Sequence, residues 1–207
     1  MRRFFRKIMQ TNSLKITGIL LAGGMSRRMG SEKGTLRIGN SLLYQYPLAI
    51  LEKFCDEILV STCDRSALRV DHKKICDEVK GIGPLGGIYS CLKKSSSELN
   101  LVLSYDMPLV NESLFRLLIS EREAYEIVLP AMQENRPEPL CGLYTKSATE
   151  VMEEMISNKD FAVNHLLTRC DSKIVPISKK MECWHPDLFL NINSKEDLKR
   201  IPPGFGK

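Results

Sequence analysis

An α/β fold with a mostly parallel central sheet is what this sequence predicts, and three observations carry it. Short apolar runs of strand length, at residues 16–21, 57–61 and 100–104, alternate with segments of helical periodicity. Two glycine-rich stretches, within residues 20–33 and 81–87, follow strand-like segments and lead toward helical ones. An acid, Asp106, stands just past the most convincing strand and is followed by Pro108. In an open α/β sheet, ligands bind at the carboxyl ends of the strands, which is where all three features fall.

Along the chain, residues 16–21 are followed by a turn that packs Gly23, Gly24 and Gly30 among Arg27, Arg28 and Lys33. Glycine brings backbone N–H groups close to an anion, and the cations supply countercharge, so the turn reads as a phosphate loop. Leu43, Tyr46, Pro47, Ile50, Leu51 and Phe54 recur at helical spacing, with Pro47 tolerable in a first turn. Strands follow at 57–61 and near 74–76, and the strand–helix–strand order suggests a parallel unit.

Gly83-Pro84 sets a turn and the start of a helix through Tyr89, Cys91 and Leu92. Gly86 and Gly87 serve either close helix packing or a ligand. Residues 100–104 form a strand ending at Asp106, which suits either a hard cation held through oxygen or the cap of a turn. A helix runs from Asn111 through Leu114, Leu117 and Leu118, and strands follow at 127–130 and 140–144. Ala148, Val151, Met152, Met155 and Ile156 mark another helix, and Val163, Leu166 and Leu167 a short helical piece. Strands at 173–177 and 189–193 close the series, and Ser194 with Asp197 has capping-box spacing ahead of a last helix.

Charge and composition narrow the function. Of the 207 residues, the first 15 hold Arg2, Arg3, Arg6, Lys7 and Lys15 with no acid, which equals the formal charge of +5 for the whole chain. The body is therefore neutral, which argues against a nucleic-acid face. No apolar run approaches the roughly 18 residues of a bilayer span, so no membrane association is expected. Seven cysteines form no Cys-x-x-Cys pair, which suggests reduced thiols in the cytoplasm, and the three histidines lack metal-ligand spacing. Residues 1–14 read as a flexible basic extension, 15–201 as a single domain and 202–207 as a C-terminal tail.

The phosphate loop matches neither a Walker A sequence nor a dinucleotide fingerprint. Leu21-Ala22-Gly23-Gly24-Met25-Ser26-Arg27-Arg28-Met29-Gly30-Ser31-Glu32-Lys33 resembles the signature of the molybdenum cofactor guanylyltransferase (MobA-like) family of nucleotidyltransferases. The likeness extends to Gly83-Pro84-Leu85-Gly86-Gly87-Ile88, to Asp106-Met107-Pro108 and to Phe189-Leu190-Asn191-Ile192-Asn193-Ser194, in the family's order. It implies a three-layer α/β/α Rossmann-like nucleotidyltransferase fold and transfer of GMP from GTP to the phosphate of molybdopterin, with pyrophosphate released.

The same resemblance implies the site. Arg28, Lys33 and Asp106 would be catalytic, with Asp106 holding Mg²⁺. Leu21, Ala22, Gly23, Gly24, Ser26, Lys33, Asp77, Gly83, Pro84, Leu85, Gly86 and Asp106 would bind GTP, Asp77 near the base or ribose. Asn191 and Asn193 would sit at the acceptor or metal side, and residues 136–140 at the acceptor side. Two departures stand out: the family's usual Asn after the second strand is missing from Ser61-Thr62-Cys63-Asp64, and its usual Asp before the loop lysine is Glu32. Partners implied are GTP and molybdopterin, with cofactor-insertion proteins and molybdoenzyme apoproteins beyond them. The alternatives are a related enzyme using another nucleotide, such as a cytidylyltransferase acting on the same pterin, and a non-catalytic chaperone that delivers cofactor.

Overall fold

The computed structural model describes residues 15–23, 36–62, 68–133 and 136–206. Strand β1 (Ile16–Leu21) is buried along its whole length, as a strand flanked on both sides and covered on both faces must be. A small hairpin follows, β2 (Arg37–Ile38) and β3 (Ser41–Leu42), paired antiparallel. Sequence reading passed over it, although Gly39-Asn40 between Ile38 and Ser41 is a two-residue hairpin signal. Helix α1 (Gln45–Leu51) is shorter than its apolar spacing suggested, with Pro47 in the first turn.

The remaining strands are β4 (Glu57–Ser61), β5 (Lys73–Ile75), β6 (Leu99–Ser104), β7 (Ile127–Ala131), β8 (Cys141–Thr145) and β9 (Ser172–Pro176). With β1 they form a sheet of seven strands among the described residues, in the order β5-β4-β1-β6-β8-β7-β9. Every neighbouring pair is parallel except those made by β8. The exception has a physical cause. No helix lies between β7 and β8, and a parallel return needs a crossover of a dozen or more residues, so β8 turns back antiparallel into the gap between β6 and β7.

Period-2 alternation sorts the strand side chains into two cores. Leu20, Val60, Leu101 and Leu103 pack with α1 and with α3 (Glu112–Ser120), through Leu51, Leu114, Phe115 and Leu118. Ile19, Leu21, Leu59 and Val102 pack on the other face with α2 (Pro84–Lys94) and α4 (Ala148–Ser157), through Leu85, Ile88, Met152 and Met155. The result is a three-layer α/β/α sandwich. Each fully buried Leu or Ile contributes about 1.5–3 kcal/mol.

Residues 189–193 correct the sequence reading, because they form no strand. Leu190 and Ile192 are buried while Asn191 is half-buried and Asn193 exposed, so the alternation of a strand is present. The chain nevertheless meets β6 only after β6 has ended, and the Ile192 N–H donates to the Asp106 carbonyl at 2.9 Å. Leu190 and Ile192 fill a small core with Ile38, Leu43 and Leu109, against which Phe205 packs. The capping box ahead of the last helix, α5 (Lys195–Leu198), is formed by Ser194 and Asp197.

Candidate active site

The connections from β1 run first to β4 and β5 on one side, then cross through α2 to β6 on the other. The sheet therefore changes direction between β1 and β6, and at such a point two neighbouring chains diverge and leave a crevice at their carboxyl ends. Here Leu21 leads to Ala22 and Gly23, while Ser104 leads to Tyr105 and Asp106. The Tyr105 N–H donates to the Leu21 carbonyl at 3.0 Å, and the Ala22 N–H to the Ser61 carbonyl at 2.9 Å. The first bond sets the start of the glycine-rich turn beside the strand end that carries Asp106, and the second ties it to β4.

Asp106 is half-buried, and its Oδ1 accepts a hydrogen bond of 2.7 Å from the Ser104 hydroxyl. The Ile192 N–H bonded to the Asp106 carbonyl brings the backbone of residues 191–193 alongside Asp106. The Asp106 carboxylate and the Ser104 hydroxyl are hard oxygen groups, the ligand type that suits a small divalent cation such as Mg²⁺. Glu138 adds a second carboxyl nearby. Burial pushes it above the ordinary carboxylate range and the charge of Asp106 pushes it further, while the Leu140 N–H, at 3.2 Å from Oε1, draws it back.

Glu138 ties stability to pH. Its raised value means that the folded state binds more protons than the unfolded chain, so this group costs stability as pH rises from the ordinary carboxylate range through the raised value, and the cost vanishes below that range. Glu138→Gln retains an acceptor for the Leu140 N–H and cannot ionise. The variant is expected to melt above wild type near neutral pH, with the difference shrinking on acidification; thermal unfolding across pH checks it, and a pH-independent difference would contradict it.

On the other side of β1, Asp77 follows β5 by two residues and is half-buried. Burial pushes its carboxyl up, and the Ser61 hydroxyl, donating to Oδ1 at 3.3 Å, pulls it back. Gly83 has φ +67° and ψ −153°, a conformation open essentially to glycine, and it turns the chain into α2 with Pro84 in the first turn. Gly83 and Pro84 are exposed, while Gly86 and Gly87 are buried against the strand ends. A Cβ on Gly87 would stand 2.4 Å from Ser61 Oγ. The bare glycine is what lets α2 approach β4 this closely.

The residues implied by resemblance fall into three groups. Ala22, Gly23, Asp77, Gly83, Pro84, Gly86, Asp106, Asn191 and Asn193 belong to strand ends or to loops beside them. Leu21 and Leu85 lie there too, but both side chains are buried in the core. Gly24, Ser26, Arg28 and Lys33 lie outside the described residues, as do Arg27, Glu32, Cys63 and Asp64. Sequence reading passed over the Ser61–Asp77 contact and the nearness of Glu138 to Asp106. Both depend on which strands are neighbours, and the chain carries no local signal of that.

An α/β/α sheet with glycine-rich turns and an acid at its switch point has the organisation of a Rossmann-like nucleotide-handling enzyme. The chain belongs to the MobA-like NTP transferase family, whose domain matches residues 18–173. A probable molybdenum cofactor guanylyltransferase of Flavobacterium johnsoniae is 31% identical over 186 residues, covering 90% of this chain and 96% of that protein. One from Thermococcus kodakarensis is 31% identical over 193 residues, covering 90% and 94%. Among solved structures, molybdopterin-guanine dinucleotide biosynthesis protein A of Archaeoglobus fulgidus superposes with a TM-score of 0.72 at 26% identity, covering 89% of this chain and 95% of that one. Among the described residues no helix is long and apolar enough to cross a membrane.

Proposed function

We propose that this protein transfers GMP from GTP to the phosphate of molybdopterin, forming the guanine dinucleotide cofactor and releasing pyrophosphate. The observation that carries the reading is the pairing, across β1, of an acid beside the phosphate loop with a second acid beside the glycine-rich start of α2. Relatives named for this reaction, matched over 90% of the chain, support it.

A phosphate oxygen of the pterin attacks the α-phosphorus of GTP, a new P–O bond forms, and the bond to the bridging oxygen breaks as pyrophosphate departs with the electron pair. Such a displacement needs in-line placement and charge neutralisation more than covalent help. Backbone groups of Ala22 and Gly23, continuing into Gly24 and Ser26, line the phosphates, and Arg28 and Lys33 pair with them. Asp106, bonded by the Ser104 hydroxyl, would hold the metal, and Asn191 and Asn193 would serve the acceptor or metal side. Enzymes of this family generally use a divalent metal, and Mg²⁺, when bound, screens the phosphate oxygens and the leaving group. Asp77, beside Gly86, accepts from the N1–H and N2 amine of guanine. Residues 136–140 border the acceptor side, and the cytoplasm is the proposed compartment.

The test is pyrophosphate release with Mg²⁺, molybdopterin and each NTP in turn. Release with GTP alone is expected. Release with CTP and not GTP would replace the guanylyl reading with a cytidylyl one, and binding of GTP without release under any condition would leave a carrier.

A further inference from the structure

Ser61 ends β4 at the floor of the crevice and is 1% exposed. Three separate pieces of the site converge on its side chain. Its Oγ donates to Asp77 Oδ1 at 3.3 Å; a Cβ on Gly23 would lie 3.5 Å from the same atom, and a Cβ on Gly87 would lie 2.4 Å from it. Its backbone is fixed as well, because its carbonyl accepts from Ala22 N–H and it pairs in register with Leu21 on one side and Ile75 on the other. The hydroxyl therefore has little freedom. Asp77 Oδ2 meanwhile comes within 3.5 Å of where a Cβ on Gly86 would stand, so one oxygen is held by Ser61 and the other lies along the bare edge of α2.

We infer that Ser61 is a positioning residue for base recognition: its hydroxyl fixes the Asp77 carboxylate in the plane that accepts two parallel N–H groups from a purine with an amino-substituted amidine edge. The inference rests on the placement of Asp77 against guanine proposed above. A carboxylate accepts two parallel donors well only when its plane is set, and a short hydrogen-bonding side chain from the strand floor sets it. Burial raises the Asp77 carboxyl, and Ser61 is the neighbour that favours its charged, accepting form.

The test compares the Kd of GTP with that of ITP, which lacks the 2-amino group, by calorimetry on the full chain with Mg²⁺ present. Wild type should prefer GTP. Ser61→Ala should weaken GTP about five- to tenfold and ITP less, so that the preference shrinks, and should add nothing in an Asp77→Ala background. If Ser61→Ala leaves the preference intact while Asp77→Ala collapses it, the Ser61 inference is wrong and the Asp77 placement stands. If neither variant changes the preference, both fall. Equal weakening of the two nucleotides together with a lower melting temperature would reduce Ser61 to a packing role and overturn the inference.

Discussion

Asp106→Ala is expected to lower Mg²⁺-dependent pyrophosphate release by about 10³-fold or more with little change in thermal stability. The structure separates the two effects. The contact that anchors the C-terminal segment uses the Asp106 main-chain carbonyl, which accepts from Ile192 N–H at 2.9 Å, and alanine keeps that carbonyl. The side chain meets the Ser104 hydroxyl and lies next to the Glu138 carboxyl, whose elevation partly reflects the Asp106 charge. Removing one of two nearby carboxylates relieves repulsion as well as breaking a hydrogen bond, so the stability terms oppose each other. Catalysis has no such compensation, because the variant loses the carboxylate proposed to hold the metal. Initial rates and circular dichroism melts on the same preparations check the prediction. A variant that keeps turnover within about tenfold of wild type would remove Asp106 from the metal site.

Much of this architecture was legible in the sequence because it is local. The runs at β1, β4 and β6 are continuous and apolar, and strands buried on both faces read that way. Asn111 caps α3 through its side chain, accepting from Leu114 N–H at 3.1 Å, which matches the helix start expected there. Non-local pairing was not legible. Residues 189–193 carry the alternation of a strand but lack a ladder partner, since their register falls where β6 has already ended. The antiparallel setting of β8 follows from the missing crossover between β7 and β8, yet its position between β6 and β7 belongs to the assembled sheet. The same applies to the site. Asp106 announces itself by standing between a strand and a proline, whereas Ser61 and Glu138 acquire meaning only through residues distant in sequence, Asp77 and Gly87 for one and Asp106 for the other.

Gly87→Ala should weaken GTP binding by about tenfold or more and destabilise the fold by up to about 2 kcal/mol. Alanine in a helix interior gains roughly 1 kcal/mol over glycine by propensity alone, so a purely local effect would have the opposite sign on stability. The new Cβ would stand 2.4 Å from Ser61 Oγ, 3.3 Å from Ser61 Cβ and 3.5 Å from Leu21 Cδ2. The backbones of Ser61 and Leu21 cannot retreat, because both residues are buried at the end of adjacent paired strands. Relief comes from swinging the Ser61 hydroxyl off Asp77 or from lifting α2 away from the sheet, and overpacking of this kind costs about 1–3 kcal/mol. Either route disturbs the surface proposed for the base. The double variant Ser61→Ala with Gly87→Ala distinguishes the two routes: it removes the 2.4 Å contact and leaves only the 3.3 Å approach to Cβ. Its melting temperature should return to that of Ser61→Ala, while GTP affinity stays low because the hydroxyl that orients Asp77 is gone. If Gly87→Ala alone melts and binds GTP as wild type does, α2 does not approach β4 as closely as described, and the base pocket must be built from other residues.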